Sequence, residues 1–201
     1  TLALKIALLS GMVAFSTASF ADEPLKEGIT PATDASQIPT AAKLRKDTVV
    51  AGISEPQGIF NPYFFVNGWD ENVTNVIFSR LIDWDSHGKL VPGLAESWTI
   101  SPDNKVYTIK LRPNLTFSDG SPLTAEDVAF TLTVLYDPKY DGDTDITLAN
   151  IAGGAEYKAG KAESVSGLKV IDAHTLQVTT TQPGATTLAK IGGPVLSKAY
   201  Y

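Results

Sequence analysis

The run Asp47-Thr48-Val49-Val50-Ala51-Gly52-Ile53 is short, β-branched and apolar, and it predicts a buried strand. Glu55-Pro56-Gln57-Gly58 breaks it into a loop. Further along, Val73, Val76, Ile77, Phe78 and Leu81 recur at three and four residues, the spacing of one helix face, with Asn72 placed to cap the first turn. Ile82 to Trp84 reads as a strand ending in the turn Asp85-Ser86-His87-Gly88. Ala95 to Ile100 and Val106 to Leu111 carry β-formers on either side of Ser101-Pro102-Asp103-Asn104, which predicts a hairpin. Thr124 opens a helix whose acidic first turn, Glu126 and Asp127, suits the positive helix end. Val128, Leu132 and Leu135 are its apolar face, and Asp137-Pro138 stops it. A polar loop through Tyr140 and Asp145 leads to a short helix before Gly153-Gly154. A second hairpin follows, Gly167 to Ile171 and Thr175 to Thr180 around Asp172-Ala173-His174, and then a closing helix from Ala185 to Ile191. Strands and helices mix without a regular βαβ rhythm, so the pattern predicts a mixed α+β or irregular α/β fold rather than a Rossmann domain.

The N-terminal residues change this picture. Lys5 is followed by the apolar run Ile6 to Phe15, too short to span a bilayer, and then by small residues with Ser19 and Ala21 at the spacing of a signal-peptidase site. Residues 1–21 therefore read as a secretory signal peptide, and 22–46, rich in Pro, Ala, Thr and charge, as a flexible leader. Lys5 is the one charged residue of 1–21, so its removal takes the basic count from 16 to 15 against 22 acidic residues, and the net charge from −6 to −7. That balance disfavours nucleic acid and anionic membranes as partners. With 0 cysteines there is neither a disulfide nor a lipid-bearing thiol, which points to a free periplasmic protein. No second apolar run is long enough for a membrane span. The missing initiator Met and the apolar end Gly192 to Tyr201 point to a fragment of a longer chain.

Candidate chemistry is sparse. His87 and His174 both lie in expected turns beside Asp or Gly, without ligands at metal spacing around them. The chain lacks a Gly-x-Ser-x-Gly elbow, a phosphate-binding Gly-rich loop and a His-Glu-x-x-His helix, so nothing in it proposes an enzyme or a cofactor. Asp141-Gly142-Asp143-Thr144-Asp145 resembles a calcium loop, but Ile146 and Ala152 stand where the turning Gly and the bidentate acid belong. The densest unusual feature is Phe60-Asn61-Pro62-Tyr63-Phe64-Phe65-Val66-Asn67-Gly68-Trp69-Asp70, whose aromatics are interrupted by Asn, Pro and Gly. Such a loop either packs beneath a domain or faces a ligand, since Tyr, Trp and Asn combine apolar faces with hydrogen-bonding groups.

Three segments in order carry a family resemblance: Phe60-Asn61-Pro62 with the helix after it, Leu90-Val91-Pro92-Gly93-Leu94-Ala95-Glu96-Ser97-Trp98, and Tyr107 to Val128 around Asp119-Gly120-Ser121-Pro122-Leu123-Thr124-Ala125-Glu126-Asp127. Over 47–201 the chain resembles the family 5 extracellular solute-binding proteins of ABC importers, which hold oligopeptide, dipeptide and nickel binders. The resemblance implies a type II periplasmic-binding-protein fold, truncated, with 47–98 starting the large lobe and 99–201 holding further strands of that lobe and a small accessory domain. The second lobe, which in peptide binders supplies the acidic group for the ligand's α-amino end, is absent.

It further implies capture of oligopeptides or dipeptides in a cleft that closes between two lobes, delivery to permease subunits and a monomeric receptor. The loop after the first strand reaches the cleft in relatives, so Asn61, Pro62, Tyr63, Phe64, Phe65, Asn67 and Trp69 are the ligand-binding candidates, with Tyr136 and Tyr140 after the Thr124 helix. A binder of nickel complexes or sugars on the same fold, or a secreted hydrolase with its catalytic half elsewhere, remains an alternative.

Overall fold

The computed structural model describes residues 52–201 together with Thr40 and Leu44. The signal peptide, the leader and most of the expected first strand lie outside the described residues, and Gly52 and Ile53 belong to no strand. By contacts the chain divides into Thr1–Gly52 and Ile53–Tyr201. In the first unit the Leu44 N–H donates to the Thr40 carbonyl at 3.2 Å, a single turn. The second unit contains all the named elements that follow.

Helix α1 spans Gly68–Ile77. It is followed by β1 (Ile82–Trp84), β2 (Leu90–Pro92), β3 (Ala95–Ile100) and β4 (Val106–Leu111). Helix α2 (Ala125–Leu135), a single 3₁₀ turn (Thr147–Ala149) and helix α3 (Gly154–Lys158) lead to β5 (Leu168–Asp172), β6 (Thr175–Thr179) and helix α4 (Thr187–Ile191). Strands β1 and β2 form an antiparallel hairpin. The other four make an antiparallel sheet in the order β3-β4-β6-β5, its two hairpins joined through β4 and β6.

The sheet follows from period-two alternation. In β4, Tyr107, Ile109 and Leu111 are buried while Val106, Thr108 and Lys110 turn away from the core. Register then fixes the neighbours, with Trp98 opposite Ile109 on β3, and Leu176 opposite Ile109 and Val178 opposite Tyr107 on β6. Helix α2 packs on the β5–β6 side of this sheet and buries Ala125, Val128, Leu132 and Leu135. Its start is a capping box in which the Thr124 side chain and Asp127 satisfy each other's backbone donors. Asp127 and Thr131 also accept from the Lys198 and Leu196 N–H groups at 2.9 Å each, tying the last segment of the chain to the helix.

A second piece of core surrounds Leu81 and Ile82, both essentially inaccessible. Their N–H groups donate to Gly193 and Gly192 carbonyls, while the Arg80 and Leu81 carbonyls accept from Leu94 and Ala95, so residues 80–82 run between two neighbours. Gly93 has to be a glycine here, because a Cβ would stand 2.4 Å from the Arg80 carbonyl oxygen.

Strands β1, β3, β4, β5 and β6 and helix α2 lie where the alternation and capping put them, but three expectations are corrected. The first helix starts at Gly68 rather than Val73 and ends at Ile77, with Asn67 and not Asn72 as its cap, because Asn67 Oδ1 accepts from the Trp69 and Asp70 N–H groups at 2.9 Å each. The helix expected before Gly153 is one 3₁₀ turn, and an α-helix begins at Gly154 instead, with Gly153 as its cap residue. Strand β2 was not expected at all. Three residues ending in Pro92 give too short an alternation, and pairing with β1 makes the strand.

Candidate functional site

The segment 58–70 is a loop closed on itself by Asp70. That carboxylate is fully buried. It accepts from the Gly58 N–H at 3.0 Å and from Asn67 Nδ2 at 3.2 Å, so one acid holds both ends of the loop while sitting in the first turn of α1, where the helix dipole favours its charge. Inside the loop Asn61 builds a turn: its side chain accepts from the Tyr63 N–H at 3.0 Å, and its carbonyl accepts from Phe64 and Phe65. Pro62 is buried at the turn's second position.

Tyr63 is also buried, and its hydroxyl donates to the Pro194 carbonyl, fastening the loop to the segment beside Leu81. The loop meets the end of α2 through Tyr140, whose hydroxyl donates to the Tyr63 carbonyl at 3.0 Å and accepts from the Thr144 N–H at 3.2 Å. The rings of Phe64 and Tyr140 meet edge to face, centroids 5.3 Å apart. Gly142 lies so close to this junction that a Cβ would overlap the Tyr63 carbonyl oxygen. Burial pushes the Tyr63 phenol far up from its ordinary value, with Arg80 acting the other way, so Tyr63 is a neutral hydrogen-bond donor throughout the physiological range.

Of the nine candidates, the structure brings Asn61, Pro62, Tyr63, Phe64, Phe65, Asn67, Trp69 and Tyr140 into one contiguous assembly. Tyr136 is apart: it is buried, its hydroxyl donating to the Ile146 carbonyl at 3.1 Å and accepting from the Ile151 N–H, and burial raises its pKa. Within the assembly the side chains divide. Pro62 and Tyr63 face the core, Asn67 caps α1, and Tyr140 braces the loop. Solvent meets Phe60 and Trp69 at 41% and 42% exposure, Val66 at 60%, and part of Asn61, Phe64 and Phe65. The exposed side chains of the loop are thus mostly apolar, and they stand on a mount of buried hydrogen bonds.

Reading the residues missed Asp70, whose role is legible only once Gly58 and Asn67 are seen to converge on it, and the exposed Phe60 and Val66. The histidines sit in turns at the surface, the His87 and His174 N–H groups donating to Asp85 and Asp172. Asp145 accepts from the Thr147 N–H and hydroxyl at 3.0 and 2.6 Å. Among the described residues no cluster of His, Cys, Asp or Glu is arranged to hold a metal, and no helix is long and apolar enough to cross a membrane.

Residues 89–200, which carry the sheet, α2 and the closing segment, match the family model described as bacterial extracellular solute-binding proteins, family 5 middle. The periplasmic oligopeptide-binding protein OppA of Escherichia coli K12 is 32% identical over 153 residues, 74% of this chain and 28% of that protein. The periplasmic murein peptide-binding protein MppA of the same strain is 31% identical over an equal stretch, with the same coverage of each chain. The unliganded open form of MppA superposes with a TM-score of 0.66 at 28% identity, covering 73% of this chain and 30% of its own. Haemophilus influenzae OppA in complex with RPPGFSPFR gives 0.64 at 29% identity, covering 72% and 29%. The chain thus spans less than a third of the length of these relatives, and its mixed α/β fold is that of their type II periplasmic binding proteins. The chain belongs to the family 5 bacterial extracellular solute-binding proteins.

Proposed function

We propose that this protein is the peptide-capturing receptor of an ABC importer, exported to the periplasm by residues 1–21 and acting as a monomer that binds its ligand without chemical change. The observation that carries the reading is the coincidence of two features. Relatives whose own names are peptide binders match the scaffold at 31 to 32% identity, and a solvent-facing aromatic loop stands on that scaffold.

In this reading the large lobe begins within 47–98 and continues, with an accessory domain, through 99–201. Asn61, Phe64, Phe65 and Trp69 meet the ligand, while Pro62, Tyr63, Asn67 and Tyr140 hold the surface in place; Tyr136, hydrogen-bonded to Ile146 and Ile151, stands apart from it. Ring faces and the Asn61 amide grip an extended backbone and leave side chains in wet space, so sequence preference is weak. A second lobe closes over the ligand, and the closed form docks on permease subunits. Residues 53–201 by themselves present one face of such a cleft, which makes peptide affinity of the isolated 201-residue chain low.

The test is native mass spectrometry of the protein as its gene encodes it, purified without denaturation. Co-purifying peptides are the expected result. Recovery of a nickel chelate or a sugar, with no peptide, overturns the assignment.

A further inference from the structure

The sequence holds one Asn-Gly pair, Asn67-Gly68, and the fold sets it at the start of α1. Nothing in the fold asks for a glycine at 68. A Cβ there would meet no atom within 4 Å, and the residue's φ is not positive, so alanine would fit. Gly68 is exposed, and its N–H donates to no described residue, the two bonds of the Asn67 cap going to Trp69 and Asp70 instead.

An asparagine followed by glycine is open to attack on its own side chain, because no Cβ shields the nitrogen that follows. In that reaction the Gly68 nitrogen bonds to Asn67 Cγ, and Nδ2 leaves as ammonia with the proton which the attacking nitrogen gives up. The five-membered imide then takes up water, and opening on one side gives aspartate at 67, on the other isoaspartate. Water is the only other reactant. Closing the ring requires Cβ and the Gly68 nitrogen to eclipse about the Cα–C bond, and the extended backbone of Asn67, at φ −150° and ψ 160°, holds them apart. The amide is held as well: Oδ1 accepts from the Trp69 and Asp70 N–H groups at 2.9 Å each, and Nδ2 donates to Asp70 at 3.2 Å.

We propose that Asn67 is a site of spontaneous deamidation gated by its clasp on Asp70, and that conversion releases the loop which the clasp closes. While the cap stands, the ring cannot form; when 58–70 opens locally, the pair reacts. The product favours the open state. Its new carboxylate has no hydrogen to give, so two anions face each other where Asn67 Nδ2 donated to Asp70, and isoaspartate also adds a methylene to the backbone at the cap. Reaction and release are both read without ligand, so neither depends on peptide capture.

The experiment incubates the protein as its gene encodes it in warm, mildly alkaline buffer, folded and in guanidinium chloride, and follows residue 67 by peptide mass mapping. Unfolded wild type should convert at least about tenfold faster than folded wild type, since only opened molecules react. Folded D70A, which removes the acceptor for Asn67 Nδ2, should convert at least about threefold faster than folded wild type, and G68A should slow conversion about tenfold or more in both states. Converted wild type, separated by its added negative charge, should exchange hydrogen faster across 58–67 than unconverted protein. The proposal is overturned by equal rates in the folded and unfolded chain, by no conversion at 67 in the unfolded chain, or by a D70A rate equal to that of wild type. Conversion undiminished in G68A, or unchanged exchange in the converted protein, overturns it too. Should D70A fail to fold, the folded and unfolded rates and the exchange of the converted protein decide alone.

Discussion

The two ends of this molecule handle amphipathicity in opposite ways. Around the β3-β4-β6-β5 sheet, apolar residues face in and polar ones out: Ile109, Leu176 and Val178 are sealed, while Lys110 pairs with Glu96 at the surface. In α1 the arrangement is inverted. Asp70 and Thr74 are buried, whereas Trp69, Val76 and Ile77 are exposed. Burial of polar groups is tolerated there because each is satisfied, Asp70 by Gly58 and Asn67, and Thr74 by donating to the Glu71 carbonyl at 2.9 Å. The difference teaches that the sheet carries stability and family identity, and that the inverted end offers its apolar surface to something else.

Mutations can break or sharpen that division. The largest loss of stability should come from Ile109→Ala in the centre of the sheet, about 3–4 kcal/mol by urea unfolding. Asp70→Ala should cost about 2 kcal/mol by leaving the Gly58 N–H and the Asn67 amide unmet, and hydrogen exchange should then rise across 58–67 while the sheet stays protected. If the sheet loosened equally, the two ends would be one unit. Thr124→Ala should cost about 1 kcal/mol, the usual worth of a helix cap. Val76→Ser should change stability by no more than about 0.5 kcal/mol despite removing an aliphatic side chain, because that side chain covers nothing in the fold. A large loss there would show the inverted face to be core.

The smallest effect is on pH. The Ser121 hydroxyl holds Asp119 below its ordinary carboxylate value of 3.8, the Thr147 hydroxyl does so for Asp145, and the His174 N–H does so for Asp172. Because the folded values are depressed, these turns contribute stability that is present above 3.8 and is lost only as pH falls through the folded pKa values. Amide shifts of Ser121, Thr147 and His174 should therefore titrate with midpoints below pH 3.8. A titration midpoint at or above that value contradicts the turn geometry.

What was legible in the residues follows the same division. The alternation through β4 and the Thr124–Asp127 box are local signals that tertiary structure reinforces, so both hairpins and α2 were placed from sequence. Helix α1 differs from its expected bounds because its apolar period, Val73 with Val76 and Ile77, is not its inward face: Asp70 and Thr74 are the buried residues, and Asp70 is held by Gly58 and Asn67. The aromatic cluster was visible as composition. Its division into buried mounts such as Tyr63 and exposed faces such as Trp69 was not, since that depends on Pro194 and Tyr140, which are distant in sequence.

The most direct test of a stable sheet supporting a ligand-facing loop is hydrogen exchange on the protein as its gene encodes it, with and without a bound peptide. The account predicts added protection within 60–69 on peptide binding and none in β3, β4, β5 or β6. Protection appearing in the sheet while 60–69 stays unchanged would contradict it.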